Sequence, residues 1–79
     1  MTNKEKYCEA FCNTFQIEES QLSGLAYQGV KTWDSIGHMS LVAALEEAFD
    51  IMMETDDIIN MSSFEKGKEI LSQNYSIEF

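Results

Sequence analysis

Asp34 and Ser35 stand side by side at the start of an apolar-rich segment. Asp is a favoured N-cap, because its carboxylate accepts the orphan amide hydrogens of a helix's first turn. Ser35 then occupies the first helical position, where amide hydrogens and the positive end of the helix dipole converge. A hydroxyl placed there suits a bound or covalently attached phosphate. It equally suits an ordinary first-turn residue, and spacing alone leaves both open.

The other reactive side chains make weaker cases. Cys8 and Cys12 lie one helical turn apart. Zinc would need two more ligands, and His38, the only histidine, is distant in sequence. A disulfide is not expected in a reducing compartment, so both cysteines are expected to pack in the core. His38 has no acid or nucleophile at catalytic spacing and is expected to be hydrogen-bonded and partly buried. Asp34-x-Ile36 and Glu54-Thr55-Asp56-Asp57 fail the oxygen-ligand spacing of a calcium loop. Ile51-Met52-Met53 is expected to be core and turn packing. With no Ser/His/Asp set and no glycine-rich phosphate loop, an independent enzyme is not expected.

These residues need helices to place them. The first is expected over Lys4–Phe15 with Asn3 or Thr2 as cap. Tyr7, Phe11, Phe15, Cys8 and Cys12 fall within an arc of about 140° at 100° per residue, a single buried stripe. Gln16–Trp33 reads as a long connection; Leu22, Leu25, Tyr27, Val30 and Trp33 are expected to press it onto the core, with room for a short helical turn. The second helix runs from Ser35 to Phe49 or Asp50, with Leu41, Val42, Leu45, Ala48 and Phe49 inward. Thr55 is expected to cap a short helix over Asp56–Asn60, its acids at the favourable end of the dipole. Ser62 or Ser63 caps a last helix ending near Tyr75. There Phe64, Gly67, Leu71 and Tyr75 share a face, and Gly67 suggests a close helix approach. The expected fold is all-α: one domain over residues 1–79, a small four-helix bundle with a long first loop and a short third helix.

Composition bounds the function. Fourteen acids face five lysines and no arginine in 79 residues, for a net charge of -9. At 44% apolar residues the chain can form a core, yet it is too short for a deep cleft of its own. The charge argues against nucleic acid and anionic membranes and suits a basic protein partner. No apolar run is long enough for a membrane span, and the first residues lack a signal peptide's apolar stretch. The chain is therefore expected to stay in the cytoplasm; the initiating Met1 and a last helix ending close to Phe79 favour a discrete protein, expected to be a monomer.

The outer face of the second helix is unusual. With Val42 at zero, Glu46, Met39, Asp50, Ala43, Ile36, Glu47 and Ser40 fall between about 40° and 160°. Acids there surround apolar residues. Such a strip is either a solvated face with scattered hydrophobes or a docking surface with an apolar centre and a charged rim.

Trp33-Asp34-Ser35-Ile36-Gly37-His38-Met39, with Leu41-Val42-Ala43-Ala44-Leu45-Glu46-Glu47-Ala48-Phe49-Asp50 behind it, resembles the signature of acyl carrier proteins. That signature is Asp-Ser-Leu opening an apolar-rich helix that ends in Glu-Glu-x-Phe. The resemblance extends over essentially the whole chain. It implies that Ser35 is esterified with 4'-phosphopantetheine, donated by coenzyme A through a phosphopantetheinyl transferase. The arm's thiol then carries acyl groups as thioesters to partner enzymes.

The resemblance further implies that Asp34 lies beside the transferase chemistry and that His38 has the option of touching the arm. Ile36, Met39, Ala43, Glu46, Glu47 and Asp50 would contact partners, extended by Asp56 and Asp57. Ile36 replaces the signature's Leu. Gly37 and Ser40 stand where fatty-acid carriers commonly have acids, and the Trp-Asp-Ser-x-Gly-His form is more similar to discrete carriers of specialised pathways, polyketide pathways among them. An aminoacyl or peptidyl carrier, and an interaction module without the arm, are the competing readings.

Overall fold

The computed structural model describes all 79 residues. Four helices carry the fold, α1 (Asn3–Phe15), α2 (Ser35–Phe49), α3 (Thr55–Asn60) and α4 (Phe64–Tyr75), and no strand forms. A 3-10 turn, Glu19–Gln21, interrupts the connection between α1 and α2. The architecture is the expected small helical bundle. No helix is long and apolar enough to cross a membrane.

Local chemistry sets most helix ends. Thr2, rather than Asn3, caps α1 in a reciprocal box: its hydroxyl accepts from the Glu5 amide at 3.1 Å, and the Glu5 carboxylate accepts from the Thr2 amide at 3.0 Å. Asp34 caps α2, accepting from the Gly37 amide at 2.8 Å. Ser63, rather than Ser62, caps α4 through the Lys66 amide at 3.0 Å. The expected Thr55 cap is not formed. The Ile58 amide donates to the Glu54 carbonyl at 3.0 Å, so the first turn of α3 closes on Glu54 and Thr55 is already helical.

The core gathers Tyr7, Phe11 and Phe15 from α1, Leu41, Val42 and Leu45 from α2, and Phe64, Ile70 and Leu71 from α4. The connection adds Leu22, Leu25 and Trp33. Each such side chain, fully buried, contributes about 1.5–3 kcal/mol. The Tyr7 hydroxyl donates to the Phe64 carbonyl at 2.6 Å and occupies the space where a Cβ on Gly67 would sit. Gly67 thus admits α1 against α4, as its place on the packing face suggested.

Some packing expectations fail. Cys8 and Cys12 are only half-buried, at the margin of the core. The Tyr7–Phe11–Phe15 edge points inward and carries the two cysteines to the side of the buried stripe. Burial still pushes both thiols above their ordinary range, reinforced by Glu19. Met53 is buried but Met52 is 85% exposed, because the turn after α2 points it outward. Ala48 and Phe49 are half-buried. Alone among the helices, α3 buries no residue completely. Polar bonds from its neighbours fasten it instead.

Candidate functional site at the start of α2

Trp33 is the anchor. It is completely buried, stacked on Phe15 at 5.1 Å and edge-on to Phe11 at 5.5 Å. Just before it, the Thr32 hydroxyl donates to the Phe15 carbonyl at 2.8 Å, at the end of α1. The Thr32 carbonyl fills the space a Cβ on Gly37 would need. The end of the connection is therefore wedged between α1 and the first turn of α2. From that wedge Asp34 turns its carboxylate onto the helix end, and Ser35 emerges exposed.

His38 extends the anchor to α3. The Trp33 indole N–H donates to its Nδ1 at 2.9 Å, so the ring proton lies on Nε2, which donates to the Ile58 carbonyl at 2.7 Å. Both nitrogens are engaged and the residue is partly buried. Beside Ser35 lies an open groove of about 390 Å³ between the connection, α2 and α3, walled by Tyr27, His38, Met39, Ile58, Ile59 and Met61.

On the outer face of α2, Ile36 is 79% exposed and Met39 55%, with Ala43, Glu47 and Asp50 also exposed. Ile59 of α3, at 71% exposure, adds to the apolar surface around Ser35. Two residues expected on the acidic rim are tied into the fold instead. Glu46 accepts from the Met53 amide at 2.9 Å and closes the turn after α2. Asp57 accepts from the Tyr75 hydroxyl at 2.7 Å and from the Asn74 amide group at 2.9 Å, locking α3 to α4. The acids left on the outside are Glu47, Asp50 and Asp56.

Tyr27 is the site residue that sequence reading missed. Expected to pack onto the core, it keeps 38% of its surface exposed and sets its hydroxyl 3.3 Å from Ser35 Oγ. Its polar tip was the only sequence signal, and eight residues separate the pair. Ile59 was missed as well: it directly follows Ile58 on a helix too short to show which of the two faces out.

The arrangement offers an exposed serine at a helix end that favours negative charge, with an apolar groove beside it. These features fit a flexible arm joined to Ser35 through a phosphodiester. No group of three or more His, Cys, Asp or Glu side chains is placed to hold a metal ion. In comparison with known proteins, the chain matches no family model, no curated protein and no solved structure.

Proposed function

We propose that the chain is an acyl carrier protein, modified on Ser35 with 4'-phosphopantetheine. The observation that carries this reading is the exposure of the Ser35 hydroxyl at the first position of α2, with the neighbouring Asp34 carboxylate occupied in capping. The hydroxyl is accessible to a modifying enzyme, and no neighbouring side chain seals it.

The transfer is a simple exchange at phosphorus. Ser35 Oγ forms a bond to the phosphorus that bears the pantetheine in coenzyme A. The bond from that phosphorus to the bridging pyrophosphate oxygen breaks, and adenosine 3',5'-bisphosphate leaves. The hydroxyl proton passes to a base on the phosphopantetheinyl transferase. The attached arm supplies a terminal thiol that holds an acyl group as a thioester.

The chain's own residues do the rest. The helix end stabilises the phosphodiester charge by about 0.3–1 kcal/mol. Ile36, Met39 and Ala43 offer an apolar centre to acyl-activating, condensing or acyl-transferring enzymes. Glu47, Asp50 and Asp56 favour basic docking surfaces and speed encounter with them.

Intact mass spectrometry after incubation with coenzyme A and a broad-specificity transferase tests the reading. The wild type is expected to gain one phosphopantetheinyl group and Ser35→Ala none. An unmodified wild type, or equal gain by both, would falsify it.

A further inference from the structure

We infer that Tyr27 is the positioning residue of the Ser35 site: its hydroxyl orients Ser35 Oγ for modification and then donates to the phosphodiester formed there. The inference rests on the carrier reading and adds a residue outside the motif.

Tyr27 is held from three sides. Its backbone N–H donates to the Ser62 carbonyl at 2.9 Å, beside an antiparallel bridge between Ala26 and Ser63. The turn after it is closed by Gly29 N–H on the Ala26 carbonyl at 2.7 Å and by Gln28 N–H on the Trp33 carbonyl at 3.1 Å. Gln28 adopts a positive φ of 66°, an arrangement that persists for such a residue only where surrounding bonds impose it. The ring stands edge-on to Trp33 at 6.2 Å and to His38 at 5.8 Å. A side chain so fixed loses little entropy when it makes one more bond.

The groove has few other donors. Both His38 nitrogens are engaged, and no lysine lines the groove. Apart from Ser35 itself, its side-chain hydroxyls are those of Tyr27 and Ser62, and Tyr27 is the one in contact with Ser35. At 3.3 Å the contact is long for two hydroxyls, whose separation is commonly near 2.7–2.8 Å. Whichever of the two hydroxyls donates, the bond between them is weak, and the Tyr27 proton is free to turn to a better acceptor. An anionic phosphodiester oxygen is a stronger acceptor and draws a shorter bond. Its formation on Ser35 directs the arm toward the groove walled by Met39, Ile59 and Met61.

The test compares wild type with Tyr27→Phe, which removes one oxygen and keeps the ring. Modification kinetics are measured with coenzyme A and a broad-specificity transferase, and the phosphorus-31 spectrum is recorded on both holo-proteins. Tyr27→Phe is expected to lower kcat about fivefold with KM unchanged, as fits one lost hydrogen bond. Its phosphodiester resonance is expected to move. An unchanged resonance, or modification at the wild-type rate, overturns the inference while leaving the carrier reading intact. Failure of the wild type itself to take up the arm overturns that reading instead. If Tyr27→Phe melts early, 3-fluorotyrosine at position 27 replaces it: a more acidic hydroxyl in the same place shifts the resonance only if the bond exists.

Discussion

Trp33 donates its indole N–H to Nδ1 of His38 at 2.9 Å, and through the opposite ring nitrogen His38 holds the Ile58 carbonyl of α3 at 2.7 Å. One imidazole thus connects the largest fully buried side chain of the core to the helix that buries least. Through it, the segment that presents Ser35 is joined to the helix that walls its groove.

Removing that support should loosen α3 before the rest of the fold. His38→Ala leaves the Trp33 N–H without its partner, at a cost of about 1–3 kcal/mol. It also frees the Ile58 carbonyl. Hydrogen exchange is expected to accelerate more across α3 than across α1, as local opening of a weakly packed unit requires. Equal acceleration of both helices would remove His38 from this role.

Gly37 breaks the usual helix rule. Glycine in a helix interior is about 1 kcal/mol worse than alanine. Here the Thr32 carbonyl stands in the path of a Cβ, and backbone cannot swing aside as a flexible side chain does. Gly37→Ala is expected to destabilise the protein by more than about 1 kcal/mol in urea denaturation. A stabilised variant would show that the wedge of Thr32 under α2 is not maintained.

Glu46 and Glu47 are neighbours with different duties. Glu46→Ala strips the acceptor from the Met53 amide and is expected to cost about 1 kcal/mol of stability. Glu47→Ala, on the open face, is expected to leave the melting temperature unchanged. Instead it should raise the KM for a basic transferase, most clearly at low salt. Parallel melting curves and modification kinetics distinguish the two effects.

The α3–α4 lock should behave as one unit. The Tyr75 hydroxyl donates to Asp57 at 2.7 Å and accepts from the Glu54 amide at 2.8 Å. Tyr75→Phe and Asp57→Ala are each expected to cost about 1–2 kcal/mol. The double variant should cost less than the sum of the singles, since both remove the same bond. Additive losses in a double-mutant cycle would show two independent contacts.

Alkaline pH should probe Tyr7. Burial, reinforced by Glu65, pushes its phenol far above the ordinary value of 10.0. The folded state keeps the proton where the unfolded chain releases it. The stabilisation is therefore complete below pH 10 and is lost as pH rises above it, by about 1.4 kcal/mol per pH unit for this one group. The raised Cys8 and Cys12 thiols act in the same direction, starting from an ordinary value of 9.0. Urea midpoints between pH 8 and about 11.5 are expected to fall, and Tyr7→Phe should flatten the slope above pH 10. A wild-type slope in that variant would exclude Tyr7 as the source.

Local physics made the helices legible. A cap, a first turn and an apolar stripe are all set by residues within a few positions of one another, so Asp34 announced α2, the pair Ser62 and Ser63 the start of α4, and Ser35 its place at a helix start. Even Gly67 read correctly, because a glycine on a packing face has few other reasons to be there. Contacts between distant segments were invisible. Asp57 meets Tyr75 across 18 positions, and Glu46 turns inward to the Met53 amide only because the chain reverses after Asp50, at a φ of 53°. Both read as free acids, since sequence shows a charge but not the amide or hydroxyl that will claim it. Tyr27 was the larger omission. Its hydroxyl reaches Ser35 only through the turn at Gln28 and the bridge to Ser63, and such a meeting is decided by chain reversal and packing rather than by periodicity.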